Sequence, residues 1–362
     1  VLYNALIKPL LFSLDPESAH EVMKALSKAA NQPLISTLLS KLYAHTDPRL
    51  EVKVAGLTFA NPIGLAAGFD KNADLVGICN ALGFGHIELG TVTGRSQPGN
   101  ARPRIFRLRD DRALINRMGF PSAGADEFVQ RLSAIRKSLK KLPPLGINIG
   151  KSKEVEIEHA VDDYLYSFTK VAPLADYVAV NVSSPNTQGL RQLQDRERLG
   201  QILAALQSAN SGRLPLFVKV APDLTWSALE ELVECCSEHA VTGLIATNTT
   251  LSREGLTTPI QEAGGLSGAP LKNRSLEIVR FLGPRLKGRM ELIGVGGVEN
   301  AHDVLEMVSA GASLVQVYTG LVYGGPRLIK SILEGLSDFM NQTQTRSLAE
   351  AGAAWAELRK VA

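Results

Sequence analysis

The chain has 362 residues, 45% of them apolar and 21% charged, with 39 Lys and Arg against 36 Asp and Glu. That composition supports a full hydrophobic core and excludes a disordered or fibrous chain, while a net charge of +3 is too near balance to imply a nucleic-acid protein. Three cysteines, two of them adjacent (Cys79, Cys235 and Cys236), make no disulfide framework and read as free thiols in a reducing compartment.

The first 45 residues differ from the rest. Leu2, Leu6, Ile7, Leu10, Leu11 and Leu14 recur at helical spacing. Asp15-Pro16-Glu17 is a helix start, with a capping carboxylate and then proline at the first helical position. Val22, Met23, Leu26, Ala29 and Ala30 carry the stripe of that helix, which ends at Asn31-Gln32-Pro33. Leu34, Ile35, Leu38, Leu39 and Leu42 follow. Two readings fit: a helical cap packed on the main domain, or an interfacial element whose apolar face meets lipid or a greasy ligand. No apolar run reaches the roughly 18 residues needed to cross a bilayer, and no secretory signal pattern is visible. Six histidines show no metal-ligand spacing, so no metal is expected.

From about residue 50, eight strand-length apolar runs alternate with helical stretches: Ile63–Ala67, His86–Gly90, Leu145–Ile149, Tyr177–Val182, Leu216–Val220, Gly243–Ala246, Leu292–Val295 and Leu314–Val317. Alternation implies parallel β/α units, and eight of them predict a (β/α)8 TIM barrel, with a doubly wound open sheet as the rival. The run ends carry Gly68, Asp70 and Lys71; Thr91; Asn148; Asn181 and Ser184; Lys219; Thr247-Asn248-Thr249; Gly296-Gly297; and Tyr318-Thr319. In a barrel these converge on one rim, where catalytic groups sit. A long connection, Gly90 to Leu145, contains Asn116-Arg117-Met118-Gly119-Phe120, and connections of that length often act as lids. A second irregular stretch runs from Ser252 to Pro270. Beyond Ser337 a polar break, Asn341 to Thr345, precedes an Ala-rich helix with Leu348, Ala351, Trp355 and Leu358 on one face, read as a docked or frayed appendage. The expected organisation is residues 1–45 as an N-terminal helical segment, 46–337 as the barrel, and 338–362 as a helical tail.

The rim offers lysines, asparagines and hydroxyls, with no evident carboxylate pair and no histidine. That argues against glycoside hydrolysis and metal-assisted hydrolysis. Asparagine presents both donor and acceptor and reads imide and amide edges. A lysine beside a flavin stabilises the anion formed on reduction, and Gly268 with Gly296-Gly297 expose backbone N–H groups where barrels hold phosphate. These features fit FMN, and no GxGxxG follows a strand into a helix. Ser184 reads as a turn or cap serine or as a general base, for which its hydroxyl is far from the ideal pKa. The residues alone reach a flavin barrel oxidoreductase. A Schiff-base aldolase using Lys219 or Lys71 and a non-catalytic membrane-peripheral binder are the rivals.

The segments Gly64–Lys71, Ile87–Thr93, Asn116–Phe120, Gly146–Lys151, Asn181–Thr187, Ala246–Thr250, Gly264–Gly268, Ile293–Gly297 and Val317–Gly320 resemble dihydroorotate dehydrogenase, in order along most of the chain. Ser184 and the N-terminal Leu14-Asp-Pro-Glu-Ser-Ala-His20 resemble its membrane-associated, quinone-dependent class (class 2). The resemblance implies oxidation of dihydroorotate to orotate in pyrimidine synthesis, with FMN as cofactor and a membrane quinone as the second partner. It implies Ser184 as base, taking the C5 proton as C6 hydride leaves, with Phe120 and Thr187 on the proton path. Lys71, Asn116, Arg117, Met118, Gly119, Phe120, Asn181, Asn186, Asn248 and Thr249 match substrate positions. Ala67, Gly68, Phe69, Asp70, Lys71, Thr91, Asn148, Asn181, Lys219, Thr247, Gly268, Gly297, Tyr318 and Thr319 match the FMN site. His20, Arg107 and Tyr318 match the inner end of a quinone tunnel between the N-terminal helices. The location expected is the cytoplasmic side of a bacterial inner membrane, held peripherally. Another FMN barrel oxidoreductase acting on a related pyrimidine is the alternative.

Overall fold

A computed structural model describes residues 7–30, 32–139, 141–211 and 214–361; Leu2, Leu6 and Asn31 lie outside them. The chain enters through α1 (Lys8–Ser13), α2 (Pro16–Ala30) and α3 (Pro33–Tyr43). Asp15 begins α2 as expected, its Oδ1 accepting the N–H groups of Glu17 and Ser18, both at 3.1 Å. The short α1 leaves carbonyls at its C-terminal end that no further turn can satisfy. Two arginines from the barrel side take them. Arg107 donates to Leu11 O at 3.1 Å and to Leu14 O, and Arg109 donates to Phe12 O at 2.5 Å. Both guanidinium groups also lie over the Phe12 ring, at 4.7 and 5.4 Å. Helix α2 is tied down by Glu17, which pairs with Arg104 at 2.9 Å and Arg102 at 3.2 Å, and by Lys24 with Asp74 at 3.1 Å. The cap reading therefore holds for one face. The other face leaves Leu10, Leu26, Leu38 and Leu42 exposed, and Leu34 is 87% exposed. Among the described residues no helix is long and apolar enough to cross a membrane.

A hairpin comes next, β1 (Val52–Val54) with β2 (Leu57–Phe59). Its two-residue turn needs positive φ at both positions, met by Ala55 at 51° and Gly56 at 77°. Val54 and Phe59 pack against Tyr177, Phe217 and Leu314, which start or lie early in their strands, so the hairpin plugs the N-terminal mouth of the barrel.

Strands β3 (Ile63–Leu65) and β4 (His86–Val92) open the barrel. An excursion follows with β5 (Ile105–Leu108) and β6 (Ala113–Asn116), and then β7 (Leu145–Ile149), β8 (Tyr177–Asn181), β9 (Leu216–Val220) and β10 (Gly243–Ala246). After β11 (Gly265–Gly268) come β12 (Glu291–Val295) and β13 (Leu314–Val317). The barrel closes in the order β10-β12-β13-β3-β4-β7-β8-β9, every pairing parallel. Its members are the eight apolar runs, and closure excludes the open-sheet rival. Strands β5, β6 and β11 form a separate antiparallel sheet at the rim, so the two long connections pair with each other, Gly265 opposite Asn116 and Gly268 opposite Ala113.

At the C-terminal end the helix Leu328–Thr343 runs across the expected boundary at 337–338 and into the expected polar break, Asn341 to Thr345. Asn341, Gln342 and Thr343 keep helical backbone because Met340, fully buried, anchors that turn. The last helix, Leu348–Val361, is docked rather than frayed. Leu348 and Ala351 are buried, and the Trp355 ring lies 5.1 Å from His302 and 5.5 Å from Phe339. Leu358 departs from the expected face and is exposed. All three cysteines are buried and free.

Replacing Arg104 by Ala strips Glu17 of its better-buried partner, a loss of about 3 kcal/mol for a pair removed from water. Hydrogen exchange through residues 8–30 is expected to accelerate in that variant, while exchange in the barrel strands stays at the parent rate.

Candidate active site

Side chains alternate along a strand, so each barrel strand sends every second residue inward. Most inward residues are apolar, but β4, β7, β9 and β13 place Glu88, Asn148, Lys219 and Gln316 there. Glu88 has no exposed surface. Its carboxylate accepts from Asn148 Nδ2 at 2.8 Å and Gln316 Nε2 at 2.7 Å, and Lys219 Nζ lies 3.5 Å away. Burial of an ion pair requires such added hydrogen bonds. Asn148 Oδ1 then accepts from Thr91 Oγ1 at 2.6 Å and Asn181 Nδ2 at 3.0 Å. Asn248 Nδ2 donates to Asn181 Oδ1 at 3.3 Å and Ser183 Oγ at 2.9 Å. One connected set of hydrogen bonds therefore fixes the floor and part of the wall of a cavity at the C-terminal rim.

That cavity is lined by Ala67, Gly68, Lys71, Thr91, Asn116, Met118, Gly119, Phe120, Asn181, Ser184, Asn186, Lys219, Thr247, Asn248, Thr249, Gly268, Gly297, Tyr318 and Thr319. One wall is built of backbone. Gly296 and Gly297 have φ of 131° and 68°, and a Cβ on them would lie 2.1 Å from Ser275 Oγ and 2.4 Å from Lys272 Cβ. Only glycine fits there. On the opposite wall Asn186 Nδ2 donates to Asn116 Oδ1 at 3.2 Å. Ser184, 5% exposed, accepts the Asn186 N–H at 3.3 Å, which leaves its own O–H to donate. Phe120 holds φ at 52°, a strained region for a bulky side chain. Its ring packs where a Cβ on Gly150 would meet it at 3.0 Å.

Lys71 sits on the Gly68 turn and donates to Gly68 O at 2.6 Å. Burial lowers its pKa to about 8, against the opposing pull of Asp70. It lines the rim cavity and a second one of about 490 Å³. The second lies between α1, α2 and the barrel, with Leu11, Phe12, Met23, Phe69 and Leu321 among its apolar lining and His20 and Arg107 among its polar lining. The rings of His20 and Phe69 are 5.5 Å apart and those of Phe69 and Tyr318 are 5.4 Å apart, edge to face. Tyr318 lines both cavities. Burial, helped by Lys71 and Lys24, pulls the His20 pKa to about 3, so this imidazole is neutral at ordinary pH.

Some expected site residues lie elsewhere. The Asp70 carboxylate is buried, accepts the N–H groups of Asp74 and Leu75 at 2.8 Å each, and does not line the rim cavity; burial raises its pKa to about 6. The Arg117 guanidinium bonds Glu262 and Pro103 O and stacks on Phe106, so it too is turned away. Phe69 belongs to the second cavity, and Asn148 stands behind the first. Thr187 is buried, and its hydroxyl has no partner among the described residues. Sequence reasoning missed Glu88 and Gln316. Their signal was a polar residue inside each of two apolar runs, His86–Gly90 and Leu314–Val317. Among the described residues no His, Cys, Asp or Glu group could hold a metal ion.

The family model described as dihydroorotate dehydrogenase matches residues 49–340. A "Dihydroorotate dehydrogenase (quinone)" of Gloeobacter violaceus is 52% identical over 347 residues, covering 96% of this chain and 97% of the relative. One from Halobacterium salinarum is 49% identical over 350 residues, covering 96% and 98%. The crystal structure of the Eimeria tenella DHODH in complex with ferulenol superposes with a TM-score of 0.83 at 37% identity, covering 94% of this chain and 97% of that one.

Proposed function

The chain belongs to the dihydroorotate dehydrogenase family, in its quinone-dependent class, and oxidises dihydroorotate to orotate through FMN; from that premise we propose that Ser184 is the general base and that the rim cavity and the helix-lined cavity serve the two half-reactions. The observation that carries this reading is the buried Ser184 hydroxyl, on the same cavity as Lys71, Asn116, Asn186 and Asn248. The substrate is an anion with imide edges. The Lys71 ammonium pairs with its carboxylate, and Asn116, Asn181, Asn186, Asn248 and Thr249 offer the donors and acceptors its ring needs.

The residues fit FMN. Gly268, Gly296 and Gly297 line the cavity with backbone, at the part of the rim where barrels hold phosphate. Lys219, Thr91 and Asn181 line the same cavity and would meet a polar ring edge of the flavin, with Asn148 held behind them. Bound FMN supplies the hydride acceptor. The C5 proton of dihydroorotate lies next to a carbonyl and is its acidic C–H. Ser184 Oγ takes that proton and gives up its own to water, on an outward path that Phe120 lines and where Thr187 offers a hydroxyl without a partner among the described residues. The polarity of the helix-lined cavity suits a quinone, whose ring needs few hydrogen bonds and whose tail needs apolar walls. His20 and Arg107 are the polar groups for its head, next to Tyr318.

The exposed leucines of α1 to α3 seat on lipid, with Lys28 and Lys41 available to headgroups, which makes the attachment peripheral. The cytoplasmic side of a bacterial inner membrane is the location this reading favours; a Halobacterium relative makes the class itself wider than bacteria.

Ser184→Ala is expected to retain FMN but to lower the rate of anaerobic flavin bleaching by dihydroorotate at least about 100-fold, read by stopped-flow absorbance. Because the Lys71 pKa lies near 8, its ammonium is present below that pH and lost above it. Orotate affinity should therefore be flat below about pH 7 and weaken by up to roughly tenfold per unit above pH 8, with no such fall in Lys71→Met, as followed by flavin absorbance titration. The double variant Leu34→Glu, Leu38→Glu is expected to lose co-sedimentation with anionic vesicles while keeping dihydroorotate-dependent bleaching.

A further inference from the structure

We propose that Arg191 is a positioning residue that locks the Ser184 loop against the loops after β9 and β10. The inference rests on the reading of Ser184 as base. Arg191 lies in the short 3-10 helix Leu190–Gln194, on the connection that carries Ser184, and its guanidinium reaches three rim loops at once. Nε donates to Ser183 O at 3.1 Å, the carbonyl adjoining Ser184. Nη2 donates to Thr249 O at 3.0 Å, beside the Asn248 and Thr249 side chains that line the cavity. Nη1 pairs with Asp223 Oδ2 at 2.8 Å.

Asp223 is itself anchored, since its other oxygen accepts from Thr250 Oγ1 and the Leu251 N–H at 3.3 Å. Arg274 holds the carbonyls on either side of it, Pro222 O at 3.0 Å and Leu224 O at 3.2 Å. Arg191 is therefore a rigid strut between a fixed carboxylate and two carbonyls. A planar fork with five fixed donors makes such a three-way contact, and a lysine ammonium on a flexible stem does not hold the same directions. The strut sets how far Ser184 stands from the residues that grip the substrate ring. A displacement of about 1 Å between reacting groups costs on the order of 100-fold in rate.

The test compares half-reactions in FMN-loaded, full-length protein. Arg191→Lys is expected to slow flavin bleaching at saturating dihydroorotate by about 100-fold. Orotate affinity should stay within about threefold, and reoxidation of the reduced enzyme by a soluble quinone should keep the parent rate. A merely structural role would lower FMN content and slow both half-reactions together, and that result overturns the inference, as does bleaching within threefold of the parent. Should Arg191→Lys not fold, Asp223→Asn carries the test. It is expected to slow bleaching about tenfold with reoxidation unchanged, and parent-rate bleaching there overturns the inference. Ser184→Ala separates the two claims. If it bleaches normally, the base assignment fails and takes the strut with it; if it is slow while Arg191→Lys is normal, the strut alone fails.

Discussion

A carboxylate without exposed surface, Glu88, sits inside the closed barrel, and the rim site hangs from the way it is satisfied. In water this group would need no help. In the barrel interior it must be met by donors, and the available ones are Asn148, Gln316 and Lys219. Each is held by that demand in one orientation. Asn148 passes the constraint to Thr91 and Asn181, and Asn181 passes it to Asn248 and Ser183. Connected hydrogen bonds in a low-dielectric interior reinforce one arrangement, so the floor is held by the protein's own groups, as a site that must align a ring with a base requires.

Two cavities meet at Lys71 and Tyr318. The rim cavity takes its amides, hydroxyls and lysines largely from the ends of barrel strands. The other is walled by α1 and α2, which would not hold their places as isolated short helices. Arginines 104, 107 and 109 hold them there, by pairing with Glu17 and by taking the carbonyls that end α1. The same docking turns the remaining leucines of α1 to α3 outward. Closing one cavity and presenting an apolar face to the surroundings are two consequences of a single packing arrangement.

Much of this was legible in the chain. All eight barrel strands were visible as apolar runs, because a parallel barrel strand is covered on both faces and must be apolar almost throughout. The rim residues were legible as polar groups at the ends of those runs. Less legible were the partners of the long connections. Strands β6 and β11 pair across about 150 residues of sequence, and no local pattern encodes that register. Nor could local sequence separate Lys71 from Asp70. They are neighbours with similar priors, yet one faces the cavities and the other caps the Asp74 and Leu75 amides.

The sequence by itself determined the barrel, the apolar helices at the start and the kinds of chemistry available at the rim, since periodicity and residue type are local properties. Tertiary structure decided which of those groups converge. It turned Asp70 and Arg117 away, made Glu88 and Gln316 the hidden support of the floor, and joined two cavities through Lys71 and Tyr318. The physical reason is that burial and hydrogen-bond partnership are set by what the rest of the chain brings alongside each residue.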